Sequence, residues 1–310
     1  MKNKILIICF LCFVFALFKN NLFAQYATNL TVTDIEQSLG KKMKANASAL
    51  LTELNRAYFN EKIPQLAEIQ GISKGGKNNI LSMWEMTPFR CIETEIIERC
   101  LKTPTGYQVR NIPMFLKDMS ENEAEKEIAI NFDKSGTIEG IYFTLDLNDY
   151  KAIMMSEDND VIDPRCRTAI LDFVEKFRTA YNSKDIDLLA KVYSDDVLII
   201  TGKVVKQINP KEYIDKLRSI FKNNSKINVE FDSIEVVQHP KFPDIYGLTI
   251  KQSWNTTNYS DKGYCFFLLD FTDSKNMQIQ VRIWQPEKLN GKQLLEDEIF
   301  KLNDFDVRNK

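Results

Sequence analysis

The chain is 310 residues long, and its 41 basic and 43 acidic side chains nearly cancel. That balance provides no positive field to draw in nucleic acid or an anionic membrane surface. A single histidine and scattered cysteines offer no ligand set for a zinc site of the usual kind, so neither a metal nor any other cofactor is expected.

In chain order, Lys2 and Lys4 precede an apolar run from Ile5 to Phe18 and a polar stretch that ends Leu22-Phe23-Ala24. Spanning a bilayer takes ~20 apolar residues, and this run has fourteen. The pattern is that of a secretory signal (1–24) cut after Ala24, which predicts an exported mature chain, periplasmic or extracellular, with no membrane span. A lipoprotein signal is disfavoured, because bulky Ile8 and Leu11 precede Cys9 and Cys12.

The rest divides into an N-terminal α+β domain (25–157) and a second α+β domain with a C-terminal tail (158–310), parted in the acidic stretch 156–164. In the first, Thr33 and Glu36 have capping-box spacing for a long helix, and Trp84 suits either a core or a cavity wall. Residues 93–101 fit helix spacing slightly better than strand spacing and are left open. Residues 107–116 read as a strand, and 127–145 as a hairpin turning at Asp133 to Gly136.

In the second, Asp163-Pro164 opens a helix whose face is Ile170, Phe173, Val174, Phe177 and Tyr181. Ser183 caps a short helix carrying Ile186, Leu189 and Tyr193. The acids Asp195 and Asp196 then precede a buried strand, and Asn209-Pro210 opens a third helix. From Ile227 the period falls to two, with Ile234 and Val236 out of phase with Ile227, Val229 and Phe231, which predicts a β-bulge near Asp232 or Ser233. Turns at 239–244 and 258–263 separate the strands that follow, the last being 277–284.

This order, with a helix ending Ala180-Tyr181-Asn182-Ser183-Lys184-Asp185, a second helix, Tyr193-Ser194-Asp195-Asp196 and a strand, resembles the NTF2-like superfamily over about residues 164–286. The resemblance implies a curved antiparallel sheet wrapped around helices, with a pocket used by some members for catalysis and by many for binding or dimerisation. Residues 54–66 echo 177–189, so two such domains in tandem are expected. In the ketosteroid isomerases of the superfamily, the oxyanion-hole tyrosine falls on Phe177 and the general base on Thr201. Neither residue can do that work, since Phe has no donor and Thr is no base near neutral pH.

Asp195 and Asp196 read first as a turn clamp. A metal site would need further oxygen ligands, and an acid–base pair would need one carboxylate desolvated. His239 is expected in a solvated turn. Cys91 and Cys100 are nine residues apart, ~30 Å along a strand or ~14 Å along a helix, too far for a disulfide within one element. With Cys166 and Cys265 they are expected to be free thiols.

Tyr181, Tyr193, Tyr213 and Trp254 are candidates to line a ligand pocket, with ordinary core as the plainer alternative. Gln278, Gln280, Arg282 and Trp284 alternate along the last strand and are expected on its outer face, touching the first domain or a second copy of the chain. The expectation is an exported, non-catalytic protein that binds a small ligand, a glycan or an envelope protein. The alternatives are an NTF2-like cyclase, isomerase or hydratase, and a structural component with a filled pocket.

Overall fold

The computed structural model describes residues 26–117, 122–155, 163–201, 207–273 and 277–305. The expected signal and residues 156–162 of the acidic stretch lie outside these. Two compact units are present: Met1–Leu101 with Gly106–Ile141, and Lys102–Thr105 with Tyr142–Lys310.

In the first unit, β1 (Asn29–Thr33) leads into α1 (Gln37–Phe59), α2 (Lys74–Met86) and β2 (Phe89–Cys91). Strands β3 (Glu95–Lys102), β4 (Gly106–Lys117), β5 (Glu123–Asp133) and β6 (Ile138–Phe143) follow, in the sheet order β1-β3-β4-β5-β6 with β2 beside β4. The cap of α1 is Glu36 itself, whose carboxylate accepts from the Ser38 and Leu39 backbone N–H groups. Thr33 instead ends β1, and its hydroxyl donates to the Glu98 carbonyl.

Residues 93–101, left open between helix and strand, contain most of β3. Parallel pairing of Asn29–Thr33 with Glu95–Arg99 satisfies their backbone. One side then goes inward at Ile96, while Ile97 stays exposed. At the β5–β6 hairpin, Asp133 accepts from the Ser135 and Thr137 N–H groups, and Gly136 takes a φ of 80°, which favours glycine. Trp84 is core, with its ring 5.5 Å from that of Phe89.

The second unit starts with α3 (Leu147–Met154), capped by Asp146, followed by α4 (Pro164–Asn182) and α5 (Ile186–Lys191). Then come β7 (Tyr193–Ile200), β8 (Gln207–Ile208), α6 (Pro210–Asn223), β9 (Ile227–Gln238), β10 (Ile245–Thr256), β11 (Ser260–Asp270) and β12 (Gln278–Pro286). The sheet order is β8-β7-β12-β11-β10-β9. Strands β9 to β12 pair antiparallel in sequence, and β7 joins β12 in parallel. Because α3 packs on α4 and β9, the units divide within β6, ahead of the acidic stretch at 156–164.

Asp163 and Asn209 cap α4 and α6, each followed by its first-turn proline. The short helix α5 is capped by Asp185, while Ser183 closes α4. The bulge falls at Asp232, since Phe231 and Ser233 oppose consecutive residues of β10, Gln252 and Lys251. It turns Ile234 and Val236 back into the core.

Two apolar layers cover the sheet. The inner one joins Ile170, Phe173, Val174, Phe177 and Tyr181 of α4 to Leu248, Ile250, Phe267 and Leu269. Each such side chain contributes about 1.5–3 kcal/mol on burial. The outer layer of Ile245, Phe266, Leu268, Val281 and Ile283 lies under Leu302, Phe300 and Phe305 of the C-terminal tail. Gly247 permits this approach, because a Cβ there would meet the Leu302 side chain at 2.9 Å.

Candidate functional site

Four elements bring the pocket candidates together on the inner side of the second sheet. Tyr181 comes from the last turn of α4, Tyr193 from the first residue of β7, Tyr213 from α6 and Trp254 from β10. The Tyr181 and Tyr213 hydroxyls are 2.7 Å apart and hydrogen-bonded. The Tyr181 ring meets Trp254 edge-on at 5.3 Å, and Tyr193 meets Tyr213 at 5.6 Å.

A fifth member was not expected. Arg282 of β12 is only 7% exposed, and its guanidinium carbon lies 4.9 Å from the centre of the Tyr213 ring. Strict alternation would place Arg282 with Gln278 and Gln280 outside. The pairing instead slips at this point: Ile279 sits opposite Tyr193, but Val281 already opposes Leu198, and a second shift falls between Leu268 and Leu269 of β11. Past the slip the phase inverts. Val281 and Ile283 turn outward beneath the tail, and Arg282 and Trp284 turn inward. Gln278 remains exposed, and Gln280 lies within the slip, near Ser194 and Asp270. The expected outward stripe of Gln278, Gln280, Arg282 and Trp284 is therefore not formed, and the outer face carries the chain's own tail. The run Gln-Val-Arg-Ile gave no signal of this, since its two aliphatic residues fit either face.

Burial raises the Tyr181 and Tyr193 phenols well above their ordinary range, helped by the neighbouring tyrosines and opposed by Arg282. Burial also pushes the Cys265 thiol on β11 up to about 11, again against the pull of Arg282. All three are protonated near neutral pH, so they can donate hydrogen bonds but not act as bases or thiolate nucleophiles. The Tyr193 hydroxyl and Arg282 Nε are buried without a hydrogen-bond partner by distance and angle, although the Tyr181 hydroxyl is near enough to Tyr193 to help raise its pKa.

A separate buried carboxyl is Asp149 on α3. Burial, together with Asp146 and Asp232 and against Arg178, lifts its pKa to about 6, and its Oδ2 has no partner. Arg178 donates to the Phe143 and Thr144 carbonyls at 3.1 and 2.6 Å. This group ties α3 and the end of β6 to α4.

Asp195 and Asp196 are not a turn between helix and strand. They lie within β7, exposed, in the stretch between Tyr193 and Leu198 where the pairing to β12 slips. His239 is in its expected turn, but it also shapes that turn: Nδ1 accepts from the Lys241 and Phe242 N–H groups, and the ring packs on Phe242. Cys91, Cys100, Cys166 and Cys265 are free thiols. Among the described residues, no group of three or more His, Cys, Asp or Glu is placed to hold a metal, and no helix is long and apolar enough to cross a membrane.

Residues 169–281 match the family model described as the Cds6 C-terminal NTF2-like domain. Among solved structures the chain is similar to Bd1075 of Bdellovibrio bacteriovorus, at 20% identity over 40% of this chain and 42% of that one, with a TM-score of 0.34. It thus spans less than half of that relative. It is also similar to an NTF2-like protein of unknown function from Pseudomonas putida KT2440, at 13% identity over 44% of this chain and 97% of that one, TM-score 0.37. A third is a putative ketosteroid isomerase from Shewanella frigidimarina, at 14% identity over 38% and 94%, TM-score 0.32. No curated protein matches the sequence.

Proposed function

We propose that this protein, whose second unit is a member of the NTF2-like superfamily, is an exported, non-catalytic binding protein that holds a small ligand against the inner face of the second sheet. The observation that carries the reading is the pair of buried polar atoms without partners, Tyr193 Oη and Arg282 Nε, set among Tyr181, Tyr213 and Trp254. A buried donor left unmade costs about 1–3 kcal/mol. Two of them in one aromatic cluster are what a site awaiting a hydrogen-bonding guest would leave.

Binding is favoured over turnover by what surrounds the cluster. The groups that perturb it most are the tyrosines, Arg282 and Cys265, with no carboxylate among them. Asp149, the carboxyl with a strongly raised pKa, faces Arg178, Asp146 and Asp232. Phe177 is buried among Phe173, Tyr181 and Phe267, and offers no donor. Export rests on the signal-like N-terminus, 1–24.

The test is recovery of the mature protein from native envelope extracts, with N-terminal sequencing and mass spectrometry of small molecules that co-purify. The expected result is a chain starting at Gln25, with a co-purifying compound lost in a Tyr213→Ala, Trp254→Ala double variant that still folds. A retained Met1 would overturn export. A compound carried equally by the variant would overturn the site.

A further inference from the structure

We infer that the ligand presents a single carboxylate to Arg282. This rests on the inner face being the binding site, and adds the chemistry it selects. An arginine side chain is charged at any pH the fold survives. Stripping its water is tolerated only when hydrogen bonds or an opposite charge replace that water. Here the residue is only 7% exposed, and the buried guanidinium nitrogen Nε has no hydrogen-bond partner among the described residues. Its compensation is the face of the Tyr213 ring, a weak substitute for a counter-ion. The groups nearest in electrostatic effect are the Cys265 thiol and the phenols of Tyr213, Tyr181 and Tyr193, none of them a carboxylate, and burial raises the Cys265, Tyr181 and Tyr193 groups.

The chain thus carries one unneutralised positive charge inside an aromatic layer, beside a phenol whose hydroxyl is also unpartnered. A guanidinium fork matches the two oxygens of a carboxylate, and Tyr193 Oη supplies a further donor. One positive charge matches one negative charge. A phosphate dianion would leave a buried excess that no lysine or second arginine in the cluster offsets. An apolar or ring-shaped body behind the carboxylate would meet the rings of Tyr181, Tyr213 and Trp254, which contact one another beside Arg282.

The experiment is thermal-shift and calorimetric titration of the full mature chain with benzoate, benzamide and inorganic phosphate at millimolar concentration. It is repeated with Arg282→Met and Arg282→Lys. Benzoate is expected to raise the melting temperature of the wild-type protein, to bind at least tenfold more tightly than benzamide or phosphate, and to lose that preference in Arg282→Met. Arg282→Lys should keep part of it. If Arg282→Met fails to fold, the wild-type benzoate-to-benzamide ratio alone decides. Equal binding of benzoate and benzamide overturns the carboxylate assignment but leaves the inner face as a site. Stronger binding of phosphate also overturns that assignment. An undiminished benzoate preference in Arg282→Met places the anion elsewhere. No binding of any of the three, with Trp254→Ala as unresponsive as the wild type, overturns both this inference and the reading it rests on.

Discussion

In the first unit the side chain of buried Asn55 donates to the Tyr26 carbonyl and the Thr28 hydroxyl and accepts from the Cys91 N–H at 2.7 Å. Asn79 accepts from the Ile141 N–H, and Gln108 donates to Asn131. In the second unit Arg282, as deeply buried, makes no such bond. All four buried side-chain atoms without a partner among the described residues, Asp149 Oδ2, Tyr193 Oη, Gln238 Oε1 and Arg282 Nε, belong to the second unit. The amides of the first unit are the mortar of its own fold, Asn55 and Asn79 bonded to backbone and Gln108 to the Asn131 side chain. In the second, Glu175, Thr179 and Tyr181 are bonded in the same way, but Tyr193 Oη and Arg282 Nε are held by apolar packing with their bonding capacity unused, as a binding site requires and a structural core does not.

The sheets differ in the same sense. A parallel strand precedes the helices in the first unit and pairs with β3, the first strand of its sequential run. In the second, β7 follows the helices and pairs with β12, the last. Setting β7 against β12 puts Tyr193 and Arg282 on neighbouring strands, and the extra residue of β12 against β11 turns Arg282 to the same face as Phe267.

If this contrast holds, Asn55→Ala should be the most damaging change. It orphans the Cys91 N–H and the Tyr26 carbonyl together, for a loss of about 2–4 kcal/mol in chemical denaturation. A loss under about 1 kcal/mol would erase the distinction between the units.

Asp149 sharpens it through pH. Its folded pKa of about 6 lies above the ordinary value of 3.8. Between those values the native state holds a proton that the unfolded chain has released, so this carboxyl makes stability fall as pH rises from about 4 to about 6. Below both values it contributes no slope. Asp149→Asn should remove a slope worth about 1–3 kcal/mol across that window, measured as urea midpoints at a series of pH values. An unchanged slope would assign the titration to other groups.

Arg282→Met should be neutral or stabilising by about 1–2 kcal/mol in the absence of ligand, because an uncompensated buried charge is exchanged for an apolar chain of similar length. Tyr193→Phe should stay within about 1 kcal/mol of the parent, since the deleted hydroxyl has no partner to lose. A loss above about 2 kcal/mol from either, read by the same denaturation, would make these groups structural like Asn55. The smallest effect is expected at Asp195→Ala, within about 0.5 kcal/mol, because the side chain is exposed on β7.

The features legible in the sequence are those whose physics acts within a few residues. Asp163-Pro164 and Asn209-Pro210 start helices because a short acceptor and a ring-fixed φ suffice locally. The bulge at Asp232 showed as a break in the period-two pattern, and Tyr181, Tyr213 and Trp254 fell on faces their spacing assigns. Tertiary structure decided the rest through partners far along the chain. Residues 95–102 are a strand because β1, more than sixty residues earlier, pairs with them and outweighs a weak helical spacing. Asp195 and Asp196 are strand residues because β7 reaches back to Tyr193 to meet Ile279. Arg282 faces inward because side-chain alternation counts residues, whereas the extra residue Gln280 in the pairing of β12 with β11 changes that count by one and inverts every face beyond it. No local pattern in Gln-Val-Arg-Ile records the position of that extra residue, so the residue that most defines the candidate site could be placed only once the neighbouring strands were in register.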